Sequence, residues 1–243
     1  MKTVFGHVLL GWEQFTDHQL LRCPVQKNFE AELLLTVPAG SSFLDVGAHY
    51  GDTVLTMALF ARNHQRSDIR FFAFEPNVEK CQHLRRISEL NQLSVQVFEV
   101  AVGDRARRLS RSSQFAAESG QCTYTENAGA AGDIDMVSLD ELAATVRPVG
   151  FLHIDTEGWD ARCLQGAQQI LRTDKPYVIA ELWSPDTAQR NGFSRLMEQD
   201  IAKAMRPHPE LVRQKNMVDE ETNVVYYPAQ QLAKLRQLRQ LIQ

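Results

Sequence analysis

The chain predicts an α/β domain built on a doubly wound, mostly parallel sheet with an antiparallel C-terminal hairpin. Three observations predict it. Short apolar runs suited to buried parallel strands recur at residues 43–46, 149–154 and 175–182. Segments with apolar residues at helical spacing alternate with them, and that order places helices on both faces of one sheet. Residues 211–215 and 222–227, separated by the polar stretch 216–221, then read as a closing hairpin.

The first unit is the most specific. In FLDVGAHYGD, residues 43–46 form a strand, 47–51 a tight glycine loop, and 53–61 a helix-compatible run. A second strand ends FAFEPN, with Glu75 at its carboxyl end. An acidic residue there can accept hydrogen bonds from ribose hydroxyls, while N–H groups at the helix start face the rest of a nucleoside ligand. Asp45 decides which ligand. A dinucleotide places its pyrophosphate at the helix N-terminus, where a carboxylate would repel it. The same carboxylate suits an ammonium and a sulfonium, so S-adenosylmethionine fits better than NAD. His49 stands at the middle glycine of the acidic-x-Gly-x-Gly-x-Gly loop of common methyltransferases, and histidine is among the residues that tolerate positive φ.

Further along, Cys81, Leu84, Ile87 and Leu90 give residues 78–91 a helical apolar stripe. Residues 94–102 alternate as one strand, closed by Gly103 and Asp104, with its end expected beside an adenine. Four arginines crowd residues 105–111, and 112–132 is rich in Ser, Ala, Gly and Gln. We read this stretch as a solvated loop or hairpin in preference to a lid. Ser138 and Glu141 have capping-box spacing and open a short helix. The strand at 149–154 ends in Asp155, Glu157 and Gly158, residues 160–171 are expected to form one helix, and 186–205 another that Gly192 weakens. The tail, 229–243, carries leucines at three-residue spacing with basic residues between them, an amphipathic helix expected to dock on its own domain or on a sister chain, as in a homodimer. The organisation expected is an N-terminal cap segment (1–39), one domain (40–228) and the tail helix (229–243).

Composition excludes several classes. With 243 residues and 44% hydrophobic content, one large core can be buried. A net charge of −4 and a pI near 6.0 supply no basic field for nucleic acid. No apolar run approaches the roughly 20 residues that span a bilayer, and residues 1–12, interrupted by His7, are not read as a signal peptide. Cys23, Cys81, Cys122 and Cys163 are scattered without zinc spacing, which suits free thiols in a reducing, cytoplasmic setting.

A second motif, FLHIDTEGWDARCLQGA at residues 151–167, brings a family into view. Together with GAHYGD, FEPN, AVGD, SLDEL and NVVYYP, in that order over roughly residues 40–228, it closely resembles the FkbM-type methyltransferases. The resemblance implies a seven-stranded class I, Rossmann-like methyltransferase fold and an S-adenosylmethionine-dependent O-methyltransferase acting on a small-molecule or glycosylated acceptor, of sugar or polyketide type. It further implies that the cofactor is held by Asp45, Gly47, Ala48, His49, Gly51, Asp52 and Thr53, by Glu75, Pro76 and Asn77, by Ala101 and Val102 near its base, and by Asp155 near its methionine part. Three positions depart from the family pattern: His153 replaces a lysine, His49 an asparagine and Asp160 a glutamate.

A sulfonium is already an activated methyl donor, so the protein must align an acceptor lone pair and remove a proton. Asp155 and Glu157 are the first candidates for the base, ahead of His153, Glu181 and His49. Mg²⁺ held by Asp155, Glu157 and Glu181 is the alternative, ranked behind simple base catalysis. For His153 the competing role is a hydrogen-bonded strand residue, and for Glu157 a helix-start carboxylate. Two other functions stay in view: a non-catalytic S-adenosylmethionine-binding interaction protein, and an NAD-dependent oxidoreductase, against which Asp45 argues.

Overall fold

The computed structural model describes residues 24–111, 124–125, 134–183, 185–190, 196–214 and 223–231. The expected tail helix and most of the stretch 112–132 fall outside these residues. The chain opens with helix α1 (Pro24–Thr36), strand β1 (Ser42–Val46), α2 (Asp52–Asn63), β2 (Arg70–Phe74), α3 (Val78–Leu90) and β3 (Val95–Phe98). A smaller region follows: β4 (Ala101–Val102), β5 (Arg107–Arg111), β6 (Tyr124–Thr125) and β7 (Ile134–Val137). The second half comprises α4 (Ala143–Val146), β8 (Val149–Ile154), α5 (Asp160–Gln165), α6 (Gln168–Asp174), β9 (Tyr177–Glu181), α7 (Pro185–Arg190), α8 (Met197–Met205), β10 (Leu211–Gln214) and β11 (Asn223–Pro228).

The main sheet has seven strands in the order β10-β11-β9-β8-β1-β2-β3. Strands β9, β8, β1, β2 and β3 are parallel, while β11 runs antiparallel to both β9 and β10, as the hairpin reading expects. The chain winds outward from β1 in one direction and resumes beside β1, at β8, in the other. In such sheets the crevice between the two central carboxyl ends is where a ligand sits.

Alternation along the strands sorts the core into two layers. Phe43, Phe71, Phe151, Tyr177 and Tyr227 face α1 and α2 with Leu33, Leu34, Val54 and Leu55. Leu44, Phe72, Leu152, Ile154 and Val178 face the opposite layer with Leu164, Ile170, Ile201 and Met205. Rings run across the first layer: Phe43–Phe151 at 4.9 Å, Phe151–Tyr177 at 6.0 Å and Tyr177–Tyr227 at 6.0 Å between centroids. Each such buried side chain contributes on the order of 1.5–3 kcal/mol. The Tyr177 hydroxyl meets Thr36 Oγ1 at 2.8 Å, so the one polar atom of that ring is partnered in the helix above it.

The structure corrects three elements of the sequence reading. Residues 94–102 are not one strand: β3 ends at Phe98, and Ala101–Val102 leaves the main sheet to pair with β7 in a four-stranded sheet, β4-β7-β5-β6. Alternating apolar residues encode strand conformation but not which sheet accepts it. Residues 160–171 are not one helix either. The chain turns at Gly166, where a Cβ would come within 1.9 Å of the Gly103 carbonyl oxygen, and Asp140 receives the restarted helix by accepting N–H bonds from Gln169 (2.8 Å) and Ile170 (3.1 Å). Residues 186–205 are helical only over α7 and α8 among the described residues. The capping box behaves as read. Ser138 N–H donates to Glu141 Oε2 at 2.7 Å and Glu141 N–H to Ser138 Oγ at 3.3 Å, opening a 3-10 turn, Asp140–Leu142, ahead of α4.

Candidate functional site

The glycine loop is built by backbone bonds to β2. Gly47 N–H and Ala48 N–H both donate to the Phe74 carbonyl, at 2.9 and 3.0 Å, and Gly51 N–H closes the turn on Ala48 O at 2.7 Å. Gly47 (φ 84), His49 (φ 51) and Gly51 (φ 91) all adopt left-handed conformations, so His49 takes the positive φ its position demands. At Gly47 the space matters as much as the angle, because a Cβ would stand 1.9 Å from the Asp155 carbonyl oxygen.

Glu75 is the hub of the loop's open side. Its Oε2 accepts from His49 N–H at 2.9 Å and its Oε1 from Asn77 N–H at 2.9 Å. Burial pushes the carboxyl above its ordinary range, and the nearby Lys80 ammonium is the main opposing influence. Lys80 itself is buried and lies over the Tyr50 ring at 5.6 Å. Asn77 is occupied as the cap of α3, its Oδ1 accepting from Lys80 N–H at 3.1 Å. Pro76 sits between them, half-buried.

Asp45 lies deeper than its place in the loop motif suggests. It is 1% exposed. Its Oδ2 accepts from Val54 N–H in the first turn of α2 at 3.0 Å, and its Oδ1 meets His153 Nδ1 at 2.9 Å. Helix α2 has no side-chain cap at Gly51, so Asp45 caps it from the neighbouring strand. Asp52 and Thr53 begin that helix, Thr53 buried and Asp52 partly exposed. Ala101 and Val102 are buried beyond the end of β3, where Trp159 packs against the cores on both sides of them.

Acidic groups gather at the ends of β8 and β9. Register pairs Ile154 with Ala180, which sets Asp155 and Glu181 side by side. The two carboxyl groups are close enough to perturb each other. Asp155 opens to solvent, yet dense surrounding protein raises its carboxyl, with His153 opposing and Asp52 and Asp45 adding to the rise. Glu181 is raised by burial first and then by Asp155, Asp160 and Glu157, while Trp183 hydrogen-bonds it. Its Oε2 is buried without a hydrogen-bond partner among the described residues. Asp160, fully buried, accepts from Glu181 N–H at 3.1 Å and Thr156 Oγ1–H at 3.1 Å. Burial and the Asp155 charge push its carboxyl up to about 7. Glu157, the other catalytic candidate, is partly exposed and has φ 54, next to Gly158 at φ 98. A non-glycine residue held left-handed beside a crevice costs on the order of 1 kcal/mol and marks the turn as constrained.

The structure thus brings Gly47, Ala48, His49, Glu75 and Asp155 to one crevice at the switch point. It places Asp45 beneath the loop and gives Asn77 a capping role. Two residues escaped sequence reasoning as members of this region, Glu30 and Asp160. Glu30 gave no signal, whereas Asp160 could have been found from its position at a helix start five residues after Asp155. Among the described residues, no group of three or more His, Cys, Asp or Glu side chains is placed to hold a metal ion. No helix among them is long and apolar enough to cross a membrane.

S-adenosylmethionine fits these groups. A carboxylate offers about four lone-pair positions. Backbone N–H groups fill two on Glu75, leaving two for adjacent ribose hydroxyls. The acidic strand ends suit the cationic methionine part.

Comparison with known proteins identifies the family and the fold. Residues 45–211 match the model of the Methyltransferase FkbM domain. No curated protein sequence matches the chain. Among solved structures, a SAM-dependent methyltransferase from Aquifex aeolicus aligns with TM-score 0.50 at 11% identity, over 88% of this chain and 94% of that one. A putative caffeoyl-CoA O-methyltransferase from Staphylococcus aureus gives TM-score 0.50 at 11% identity, over the same 88% and 94%. Both likenesses speak for the fold. A methyltransferase FkbM from Methylobacillus flagellatus aligns at TM-score 0.49 and 15% identity over 79% of this chain, which spans 45% of that longer protein. With the family model running from the capping carboxylate of β1 to the first strand of the hairpin, the chain belongs to the FkbM methyltransferase family and is an S-adenosylmethionine-dependent methyltransferase.

Proposed function

We propose that the protein transfers a methyl group to a hydroxyl of a small-molecule or glycosylated acceptor, a sugar or polyketide-type metabolite. The observation that carries this reading is the pair of carboxyl groups, Asp155 and Glu181, that the register of Ile154 with Ala180 sets side by side at the ends of β8 and β9. Bound S-adenosylmethionine supplies an activated methyl on a sulfonium. An alcohol oxygen attacking that methyl loses its proton as the new bond forms, and a positioned carboxylate assists it. Asp155 and Glu157 are the bases in this reading. A carboxyl raised above its usual range binds an alcohol proton more readily than an ordinary surface carboxylate. Glu181 Oε2, buried and without a hydrogen-bond partner among the described residues, is suited to accept a hydrogen bond from an acceptor hydroxyl.

On the cofactor side, Glu75 takes the ribose hydroxyls, the turn at Gly47–Gly51 borders the methionine part, and Ala101 and Val102 border the base. Asp45 contributes by fixing the loop, since its two oxygens are engaged by Val54 and His153.

Thermal unfolding with S-adenosylmethionine, S-adenosylhomocysteine, NAD or no ligand tests the cofactor half. A ligand at a hundred times its Kd stabilises the fold by about 2.7 kcal/mol. Protection by the first two alone is expected, and protection by NAD would overturn the assignment. Incubation with methyl-labelled cofactor and panels of sugars, glycosides and polyketide alcohols tests the acceptor half. Label found only on nitrogen or carbon of accepted compounds would reject O-methylation.

A further inference from the structure

Beneath the glycine loop lies a second polar assembly, away from the acceptor-side carboxylates. Three buried ionisable side chains meet there from three elements: Glu30 on α1, 0% exposed, Asp45 on β1, 1%, and His153 on β8, 4%. Register pairs Asp45 with His153 across the parallel strands β1 and β8, so the two side chains leave the same face of the sheet, toward α1 and α2. His153 Nδ1 lies 2.9 Å from Asp45 Oδ1, and its Nε2 lies 3.8 Å from Glu30 Oε1. A carboxylate accepts only, so Nδ1–H is the donor to Asp45. The other Asp45 oxygen accepts from Val54 N–H at 3.0 Å, at the helix start that leads out of the cofactor loop.

Buried polar groups at this depth cost free energy unless they are satisfied, and a connected set rigidifies what it joins. Left to itself, the Asp45 carboxylate has rotational freedom about χ2. An imidazole held on one oxygen and an amide on the other settles its plane. That plane caps α2 and sets the height of the loop from Gly47 to Gly51.

We propose that His153 is a positioning residue for the cofactor site: clamped between Glu30 and Asp45, it orients the Asp45 carboxylate on the Val54 amide and thereby sets the loop that receives the cofactor. Helix α1 lies outside the span 45–211 of the family match, so the site is completed by a segment the family model does not include. The proposal rests on the cofactor reading given above, and its test separates the two.

His153→Asn keeps an N–H donor near the Nδ1 position and loses the reach to Glu30, whereas His153→Gln places its donor near the Nε2 position and loses the bond to Asp45. Both are smaller or equal in size to histidine and polar, so neither forces a clash. Amide hydrogen exchange at Val54 in the ligand-free protein reads the clamp directly, and calorimetric titration with S-adenosylhomocysteine reads its consequence. Expected is near-wild-type Val54 protection and affinity in His153→Asn, with both falling roughly tenfold in His153→Gln, the scale of one charge-assisted hydrogen bond. Glu30→Gln should move both in the same direction by less. Equal protection in His153→Asn and His153→Gln would overturn the proposal, as would a protection loss in both with unchanged affinity. If the Val54 pattern holds but wild-type protein ignores S-adenosylhomocysteine, the clamp stands and the cofactor reading falls.

Discussion

Gly47 and Asp155 lie back to back: the Asp155 carbonyl oxygen occupies the space a Cβ on Gly47 would need, at 1.9 Å. The glycine loop after β1 and the end of β8 at Asp155 therefore form one close-packed junction. Asp155 N–H also donates to the Val46 carbonyl at 2.9 Å, just before that glycine.

Gly47→Ala meets both a backbone clash and an unfavourable φ of 84. The oxygen in the way belongs to the main chain and cannot swing aside as a flexible side chain would. Destabilisation of about 3 kcal/mol or more is expected from overpacking and backbone strain together. Urea unfolding of the variant checks it, and a loss under 1 kcal/mol would show that β8 yields.

Asp160 gives a pH dependence with a definite sign. Its carboxyl is held up to about 7 in the folded protein against an ordinary value of 3.8. Between those values the folded state keeps a proton that the unfolded state has released, so stability contributed by this group is full below about pH 4 and lost as pH rises toward 7. Asp160→Asn removes the titration while keeping an acceptor for Glu181 N–H. The stability difference between wild type and variant, measured by chemical denaturation at pH 5 and pH 8, should shift in favour of the variant at the higher pH. A constant difference would remove Asp160 from the account.

Asp140 supports a helix that starts well downstream of it, through Gln169 and Ile170. Asp140→Ala strips two first-turn amides of their acceptor and the helix dipole of its anion, at a cost of roughly 1–2 kcal/mol. Thermal unfolding reads this as a lowered Tm with cofactor affinity unchanged, because α6 packs behind the sheet.

Glu157 separates chemistry from binding. If it serves as a base, Glu157→Gln slows methyl transfer to any confirmed acceptor by roughly 10²–10⁴-fold, the range general-base catalysis supplies. Its left-handed backbone is unaltered by that change, so S-adenosylhomocysteine affinity should stay within about twofold. Unchanged turnover would leave Glu157 as a turn residue and Asp155 as the sole base candidate of the two.

Local features were legible without coordinates wherever neighbours in sequence decide the outcome. The strand at 43–46, its glycine loop and the following helix rest on short-range sterics and periodicity, and His49 takes the positive φ that its place in the loop requires. The capping box of Ser138 and Glu141 closes within four residues. The alternation of strands and helices, with the ordered motifs, was enough to point to a doubly wound sheet and to the family.

Partners chosen across the fold were not legible. Asp45 reads as a ligand contact from its motif, but adjacency of β1 and β8 hands one of its oxygens to His153 and the entry of α2 hands the other to Val54. Residues 94–102 carry a strand pattern that says nothing of the second sheet that takes Ala101 and Val102. The bend at Gly166 depends on the Gly103 carbonyl, and the adjacency of Asp155 and Glu181 depends on β8 lying beside β9. Periodicity and turn chemistry act through covalent neighbours, so the chain alone determined its elements and their order. Hydrogen bonds and desolvation act through space, so only the packed sheet decided which carboxylates cap, which are pushed together and which face the crevice.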